Sequence, residues 1–253
     1  MNIWGAIASG VLQGVTEFLP VSSSAHLAIL HNYLGYKEPQ ILFDIFLHIG
    51  TLFAVLVYFR KDIVAVFSKE KRVLFLVLIS SIPTAAIGVL FKPFFEESFV
   101  NIKLIAVFLL INAFLLFTAD LVMRLMAKSK NSNIGFLKAF IIGTVQGAAI
   151  LPGLSRSGTT ISAALILNVK KADAVRYSFL LAIPAILGAL IFKLNDIGSF
   201  CAASLAPFMA GALASFFIGL AAISILIKSV TKNKLYLFGV YCFLVGSVIL
   251  VLK

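Results

Sequence analysis

Two short polar segments carry the residues of this sequence whose types and spacing could do chemistry. The first contains Glu17, Ser23 and His26, and the second is centred on Arg156. A carboxylate can hold a divalent cation or act as a base, and a serine with a histidine in reach is the minimal pair for nucleophilic attack. Arginine presents a planar fork of donors that matches phosphate oxygens in pairs. Together these types indicate a site that binds and hydrolyses a phosphorylated substrate.

The second segment, residues 152–160, has the composition of an anion-binding turn. Gly153 and Gly158 let backbone N–H groups approach a ligand closely, and a helix that begins near Ser157 directs its partial positive charge to the same point. Hydroxyl groups add further donors at Ser155, Ser157, Thr159 and Thr160. We therefore predict that these residues, with Gly158, bind the phosphate groups of a substrate.

The first segment offers a cation ligand and a candidate nucleophile. Gln13 lies four residues before Glu17 on the same helix face, so its carbonyl could join Glu17 in holding a cation. Ser23 and His26 would lie on adjacent turns if a second helix begins at Ser22, which we include among the substrate-binding residues. His26 could then activate Ser23, activate a water, or protonate the leaving phosphate.

Each of these residues also has a purely structural interpretation. Glu17 could form an ion pair with Arg156, His26 could be a hydrogen-bonded packing residue, and the serines could only cap a turn. Their convergence at two comparable turns of an apolar chain favours function. Asp44 and His48, four residues apart, are weaker candidates for a supporting role around the site.

The elements that must position these residues are membrane helices. The chain of 253 residues is 61% hydrophobic and only 12% charged, against about 25% charged in soluble proteins. Six apolar stretches are long enough to span a bilayer: 41–59, 73–91, 102–123, 174–192, 204–227 and 235–252. The net charge of +11 does not indicate nucleic-acid binding, because the basic residues cluster in short segments between apolar runs.

Two further apolar stretches are broken in the middle by the polar segments. Residues 3–34 are interrupted after Pro20, and residues 134–167 are interrupted at Pro152 and Gly153. Each half is too short to span comfortably, so we predict two re-entrant helical hairpins. Irregular backbone at membrane depth must be surrounded by protein or a polar cavity, so the two turns should be buried together.

The sequence contains an internal repeat whose two copies are expected to have opposite orientations in the membrane. The sequence GVLQG at residues 10–14 recurs as GTVQG at residues 143–147, and each is followed by a proline and a serine-rich turn. Each half holds one hairpin and three spans, which predicts an all-α membrane protein with an inverted-topology repeat, about 1–124 and 134–253, within one domain over 1–253. Most lysines and arginines lie on one side if the loop at 60–72 is cytoplasmic, so the first hairpin should enter from outside.

These motifs resemble a known family. Residues 17–23 (EFLPVSS) followed by His26, and residues 152–160 (PGLSRSGTT), are similar to the two signature motifs of the undecaprenyl-diphosphate phosphatases, the bacitracin-resistance family. The resemblance implies a bacterial inner-membrane enzyme, with its site facing outside, that hydrolyses a polyprenyl diphosphate to recycle the lipid carrier of peptidoglycan synthesis. It implies a divalent cation, Mg²⁺ or Ca²⁺, and catalytic roles for Glu17, Ser23, His26 and Arg156.

The sequence departs from the family pattern at one position. The first motif of the family often begins with Glu where this chain has Gln13, so Glu17 would carry the carboxylate role alone. A transporter or flippase of a phosphorylated lipid or anion is the competing hypothesis, because inverted repeats with broken helices are typical of carriers. The set of Glu17, Ser23 and His26 favours the phosphatase, since a carrier that only binds an anion does not need it.

Overall fold

Helices form nearly all of the chain that the computed structural model describes, residues 2–35, 40–125, 133–194 and 205–252, and no strand occurs in these ranges. The twelve helices described there are α1 (Ile3–Phe18), α2 (Ser23–Tyr33), α3 (Ile41–Tyr58), α4 (Arg60–Ser68), α5 (Lys71–Leu90), α6 (Lys92–Val100), α7 (Ile102–Leu125), α8 (Phe136–Ala148), α9 (Arg156–Ile166), α10 (Lys171–Leu194), α11 (Leu205–Thr231) and α12 (Leu235–Leu252).

Six of these helices, α3, α5, α7, α10, α11 and α12, are long and apolar enough to cross a membrane. Large apolar side chains such as Phe114 and Phe217 are 70% and 64% exposed on the bundle surface, as suits helices in contact with lipid. The prediction of an all-α membrane protein with six spans is confirmed.

Two pairs of shorter helices stand where the sequence predicts hairpins. α1 and α2 are separated by a turn at residues 19–22, and α8 and α9 by a turn at residues 149–155. α1 has 16 residues and α8 has 13, so they measure about 24 Å and about 20 Å and are shorter than a typical span. Each broken stretch is thus a helix, a turn and a second helix. That these pairs are re-entrant hairpins that enter from opposite membrane faces stays a prediction.

Glycines allow α1 and α8 to pack closely on long helices from the other half of the chain. A Cβ atom on Gly10 would overlap the backbone of Gly211 in α11, and one on Gly143 would overlap the backbone of Ser80 in α5. Gly10 and Gly143 are the first residues of the repeated pentapeptide. A helix of the first half thus packs on α11 of the second half, and a helix of the second half packs on α5 of the first. An inverted repeat predicts such reciprocal packing. The repeat itself stays a prediction.

Two short helices, α4 and α6, lie in connections between spans, and the sequence analysis was wrong to treat 60–72 as a loop. α4 forms there because its buried Val66 packs on the bundle while charged side chains such as Lys61 face outward. α6 has Pro93 in its first turn, where a missing N–H costs nothing, and buries Phe95 and Ser98. Their nine-residue lengths are too short for the span pattern to reveal them.

Ion pairs join the helix ends that carry most of the basic residues. Arg176 of α10 donates from Nε to Asp62 Oδ1 of α4 at 2.5 Å and lies with Nη1 2.8 Å from Glu70 Oε2. Lys171, at the start of α10, donates to the carbonyl of Thr231 at the end of α11. These contacts gather segments that the sequence analysis assigns to the same side.

Candidate active site

The two turns touch each other directly in the interior of the bundle. Ser22 Oγ, in the first turn, accepts a hydrogen bond of 3.0 Å from the backbone N–H of Gly153 in the second. Asn112 of α7 lies between them: its Nδ2 donates to the carbonyl of Pro20 at 2.9 Å, and its Oδ1 accepts from the N–H of Ser155 at 3.2 Å. The expectation that the turns are buried together is confirmed.

Unusual backbone angles make this contact possible. Ser22 has φ of 71° and Gly153 has φ of 107°, both in the region that side chains disfavour. At Gly153 a Cβ atom would overlap the carbonyl of Ile105, so only glycine fits. Ser22 has a side chain and is therefore held against its preference, which is characteristic of functional sites. α9 then begins with a capped turn, since Ser155 Oγ accepts from the N–H of Gly158.

A single buried carboxylate joins the two helix pairs. Glu17, which is 6% exposed, forms an ion pair through Oε1 with Arg156 of α9. Its other oxygen, Oε2, accepts from Ser23 Oγ at 2.7 Å and from Gln13 Nε2 at 3.1 Å, and His48 Nε2 lies 3.9 Å away. The structure thus brings together Glu17, Ser23 and Arg156, as predicted, and places His48 beside them.

A small cavity, with room for about one water molecule, adjoins this ion pair on the side of α10. Arg156 and Ser157, the first residues of α9, line it, and their N–H groups precede the first bond of the helix, which Thr159 donates to Ser155. The pocket therefore combines a guanidinium with a helix N-terminus, both suited to an anion. Its lining residues are Glu17, Phe18, Arg156, Ser157, Ser178, Phe179 and Ala182.

The hydroxyls of Thr159 and Thr160 are engaged within the protein. Both donate to the carbonyl of Arg156, at 3.1 Å and 2.7 Å, and Thr160 Oγ1 also lies 2.6 Å from Ser178 Oγ. Ser155 Oγ, besides capping α9, is 3.1 Å from Ser157 Oγ. These hydrogen bonds stabilise the first turn of α9, which carries Arg156. Direct contact of the threonines with substrate stays a prediction.

Tight contact between the turns also accounts for Gly158. A Cβ atom there would lie 3.0 Å from both Asn112 Oδ1 and Pro20 Cβ. Any side chain would therefore push the start of α9 away from α7 and from the first turn. Gly158 serves the approach of the two turns, and its predicted contact with substrate is not tested by this geometry.

His26 does not contact Ser23, contrary to the expected pairing. Its Nδ1 lies 2.7 Å from the carbonyl of Ser22, and its Nε2 lies 2.7 Å from the hydroxyl of Tyr241 in α12. Ser23 is the first residue of α2 and points back to Glu17 in α1, whereas His26, one turn later, points to α12. A spacing of three residues placed the two on adjacent turns but could not fix their directions.

Three residues of this region escape the sequence analysis: Asn112, Ser178 and Tyr241. Each is a polar residue in a long apolar helix, and that isolation is the only local signal. Of the weaker candidates, His48 lies beside the site, with Nε2 3.9 Å from Glu17 Oε2, while its Nδ1 is 2.7 Å from the backbone carbonyl of Asp44.

The donor atoms around Glu17 fit a divalent cation that shares its ligands with a phosphorylated substrate. Gln13 Oε1 is buried and has no hydrogen-bond partner, although the side chain lies against Glu17. Within the described ranges, no three His, Cys, Asp or Glu side chains cluster as a complete metal site. One carboxylate with a neutral oxygen suits Mg²⁺ or Ca²⁺ when substrate phosphates supply further ligands.

Comparison with known proteins agrees with the motifs. The family model described as "Bacitracin resistance protein BacA" matches residues 6–248. A protein named undecaprenyl-diphosphatase from Syntrophotalea carbinolica is 42% identical, covering 98% of this chain and 97% of its own length. Proteins of the same name from Carboxydothermus hydrogenoformans and Halothermothrix orenii are each 40% identical, covering 100% of this chain and 98% of their own lengths. The chain belongs to the bacitracin resistance protein BacA family.

Proposed function

We propose that this protein is an undecaprenyl-diphosphatase, which hydrolyses undecaprenyl diphosphate to undecaprenyl phosphate and phosphate. The observation that carries the proposal is the buried ion pair of Glu17 and Arg156, which joins the two signature motifs beside a pocket suited to an anion. Relatives that share about 40% of the sequence over their full length bear this name. The reaction recycles the lipid carrier of peptidoglycan synthesis and so supports cell wall growth, cell shape and bacitracin resistance.

Arg156 is the residue that binds the diphosphate. Its guanidinium matches two phosphate oxygens, and the N-terminus of α9 adds partial positive charge at the same point. Because Arg156 also pairs with Glu17, an arriving phosphate competes with that carboxylate for the guanidinium. The carboxylate that is released is then available to a cation that enters with the substrate.

Glu17 and Gln13 would hold a divalent cation, Mg²⁺ or Ca²⁺. When bound, the cation would neutralise charge on the phosphate oxygens, which is the main requirement of phosphoryl transfer. The unpartnered Gln13 Oε1 beside Glu17 supports this assignment.

Ser23 is the candidate nucleophile, and its proton has an acceptor in Glu17 Oε2 at 2.7 Å. Attack by Ser23 Oγ on the terminal phosphorus breaks the bond to the bridging oxygen, so the lipid monophosphate leaves and Ser23 carries the phosphoryl group. Glu17 accepts the serine proton, and a water then releases phosphate. In the direct alternative, a water positioned by the same carboxylate attacks phosphorus itself.

The two routes make opposite predictions for Ser23. Acid quenching of the wild-type enzyme during turnover should trap phosphoserine at Ser23 if attack is covalent. Full activity of Ser23→Ala would exclude the covalent route and assign the attack to water.

The site faces the outer side of the bacterial inner membrane in this proposal. The joined helix ends that carry most basic residues would lie in the cytoplasm, following the positive-inside rule. The first hairpin then enters from outside, so a diphosphate in the outer leaflet reaches Glu17 and Arg156 while its polyprenyl tail stays among lipid-facing phenylalanines.

The defining experiment measures phosphate release from undecaprenyl diphosphate by the purified protein in detergent, with and without a chelator. Release should require the cation and should be lost in Arg156→Ala. Arg60→Ala is the matched control, because Arg60 is exposed at the start of α4 and its side chain donates to the backbone carbonyl of Val57, three residues earlier and away from the site. No release by well-folded wild type would overturn the proposal, and lipid flux into vesicles would then test the transporter.

A further inference from the structure

Tyr241 reaches from α12 to the first turn and contacts the histidine of the first motif. Its hydroxyl lies 2.7 Å from His26 Nε2, and the two rings stack with centroids 5.7 Å apart and planes inclined by 15°. The next residue, Cys242, also meets the turn, with Sγ 3.6 Å from the carbonyl oxygen of Pro20. α12 is therefore docked on the first turn through two consecutive side chains.

The other nitrogen of His26 determines what this contact means chemically. Nδ1 lies 2.7 Å from the carbonyl of Ser22, and a carbonyl only accepts, so Nδ1 must carry a proton. In a neutral ring Nε2 is then the acceptor, and the Tyr241 hydroxyl donates to it. The Ser22 carbonyl and Tyr241 together fix both the tautomer and the orientation of the ring.

Simple packing does not account for this tyrosine. Tyr241 is 43% exposed, and its neighbours along the same face of α12, Leu237 and Leu244, are exposed apolar residues suited to lipid. A leucine would fill that surface at no cost in unsatisfied polar groups. Among the residues that the structure describes, the only polar side chain that the Tyr241 hydroxyl contacts is His26, which belongs to the first motif.

We propose that Tyr241 is a positioning residue that holds His26 for catalysis through the hydroxyl–Nε2 hydrogen bond and the ring stack. The inference rests on the proposed phosphatase function and on the catalytic role that the family resemblance implies for His26. The hydroxyl and the ring stack together keep the imidazole in position while the diphosphate is bound.

The test compares Tyr241→Phe, which removes only the hydroxyl, with Tyr241→Leu, which removes the ring as well. For Tyr241→Phe we expect kcat to fall about tenfold with KM nearly unchanged, the factor that corresponds to one hydrogen bond. Tyr241→Leu should lose more. Tyr236→Phe is the matched control, because Tyr236 lies on the same helix with similar exposure and contacts Arg124 instead.

A second readout is independent of the reaction. The chain has three histidines, so ¹⁵N spectra of histidine-labelled protein in detergent are simple enough to assign with a His26→Gln variant. Tyr241→Phe should shift the His26 signals and leave the other two histidines in place, and Tyr236→Phe should shift none. This result would establish the contact even if wild type released no phosphate, which would sink the proposed function alone.

Two outcomes would overturn the positioning role. One is a shifted His26 signal with kcat unchanged in both Tyr241 variants, because the contact would then be without consequence. The other is equal loss of kcat and melting temperature in Tyr241→Phe with the His26 signals unmoved, because Tyr241 would then act on the stability of α12 and not through His26.

Discussion

At the scale of single residues, the site depends on one carboxylate with several partners. Glu17 is buried among Arg156, Ser23 and Gln13, whereas Asp120, which is equally buried, pairs with the half-exposed Arg124. An isolated charge at such a place is costly, so each partner stabilises the ionised form. The same contacts place the phosphate-binding guanidinium of Arg156, the candidate nucleophile Ser23 and the candidate cation ligand Gln13 around one carboxylate.

Replacement of Glu17 should separate catalysis from stability. Glu17→Gln leaves Arg156 buried without its counter-ion, so we expect a loss of stability of about 3 kcal/mol and a loss of activity of about 100-fold or more. The double variant Glu17→Gln/Arg156→Gln removes both charges and should recover much of the stability but none of the activity. Thermal unfolding in detergent and phosphate release measure the two effects. Recovery of activity in the double variant would show that the pair is only structural.

Gln13 should set how much cation the enzyme needs. Gln13→Glu adds a second carboxylate beside Glu17 and should lower the Mg²⁺ concentration for half-maximal activity by about tenfold. Gln13→Leu removes the buried oxygen and should raise it. Titration of phosphate release with Mg²⁺ at fixed substrate measures both shifts. An unchanged requirement in both variants would mean that Gln13 Oε1 is not a ligand.

At the scale of elements, α7 sets the position of both turns. Asn112, fully buried in the middle of that helix, bonds to Pro20 in one turn and to Ser155 in the other. Glu17 and Arg156 are three residues before Pro20 and one after Ser155, so a shift of either turn displaces the ion pair. The Asn112 side chain therefore holds the two turns, and with them Glu17 and Arg156, in a fixed relative position.

Loss of the Asn112 side chain should therefore reduce activity without touching a reacting group. Asn112→Leu leaves the Ser155 N–H buried without a partner, at about 1–3 kcal/mol, and leaves the Pro20 carbonyl with only the weak Cys242 thiol donor. We expect a lower melting temperature and a kcat that falls more than KM rises. Thr118→Val is the control on α7, because Thr118 bonds only to the carbonyl of Phe114 in its own helix. Wild-type kcat in Asn112→Leu would contradict the alignment role.

The sequence predicted what depends on local pattern and missed what depends on distant contacts. Six spans, two broken helix pairs and the union of Glu17 with Arg156 follow from apolar length, proline positions and the cost of buried charge. The direction of His26 does not, since it is set by Tyr241, 215 residues away. The contacts of Asn112 could not be predicted either, because an amide in an apolar helix does not reveal which turn it faces. Short helices such as α4 lie below the length at which the span pattern is informative.

At the scale of the whole molecule, the predicted topology brings the two helix pairs in from opposite membrane faces. α1 packs on α11 and α8 on α5, so each pair is held by a span of the other half. Opposite entry would let each pair stop near mid-membrane and meet the other turn to turn, as Ser22 and Gly153 do. With an odd number of spans in each half, the second half has the opposite orientation in the membrane from the first. Entry of both helix pairs from the same face would need the two halves to have the same orientation.

Sided labelling of single cysteines tests this arrangement. In a background with Cys201 and Cys242 replaced by serine and alanine, a cysteine at Lys69, after α4, should react with a membrane-impermeant maleimide only once the inner membrane is permeabilised. A cysteine at Glu96 in α6 should react in intact spheroplasts, because α5 carries the chain across the membrane between the two positions. Lys69 follows α4 and Glu96 lies in α6, so both positions are outside the spans, and the side chain of Glu96 is 64% exposed. Reaction of both from the same side would remove the opposite entry of the helix pairs, and reaction with the sides exchanged would keep the repeat but move the active site to the cytoplasmic leaflet.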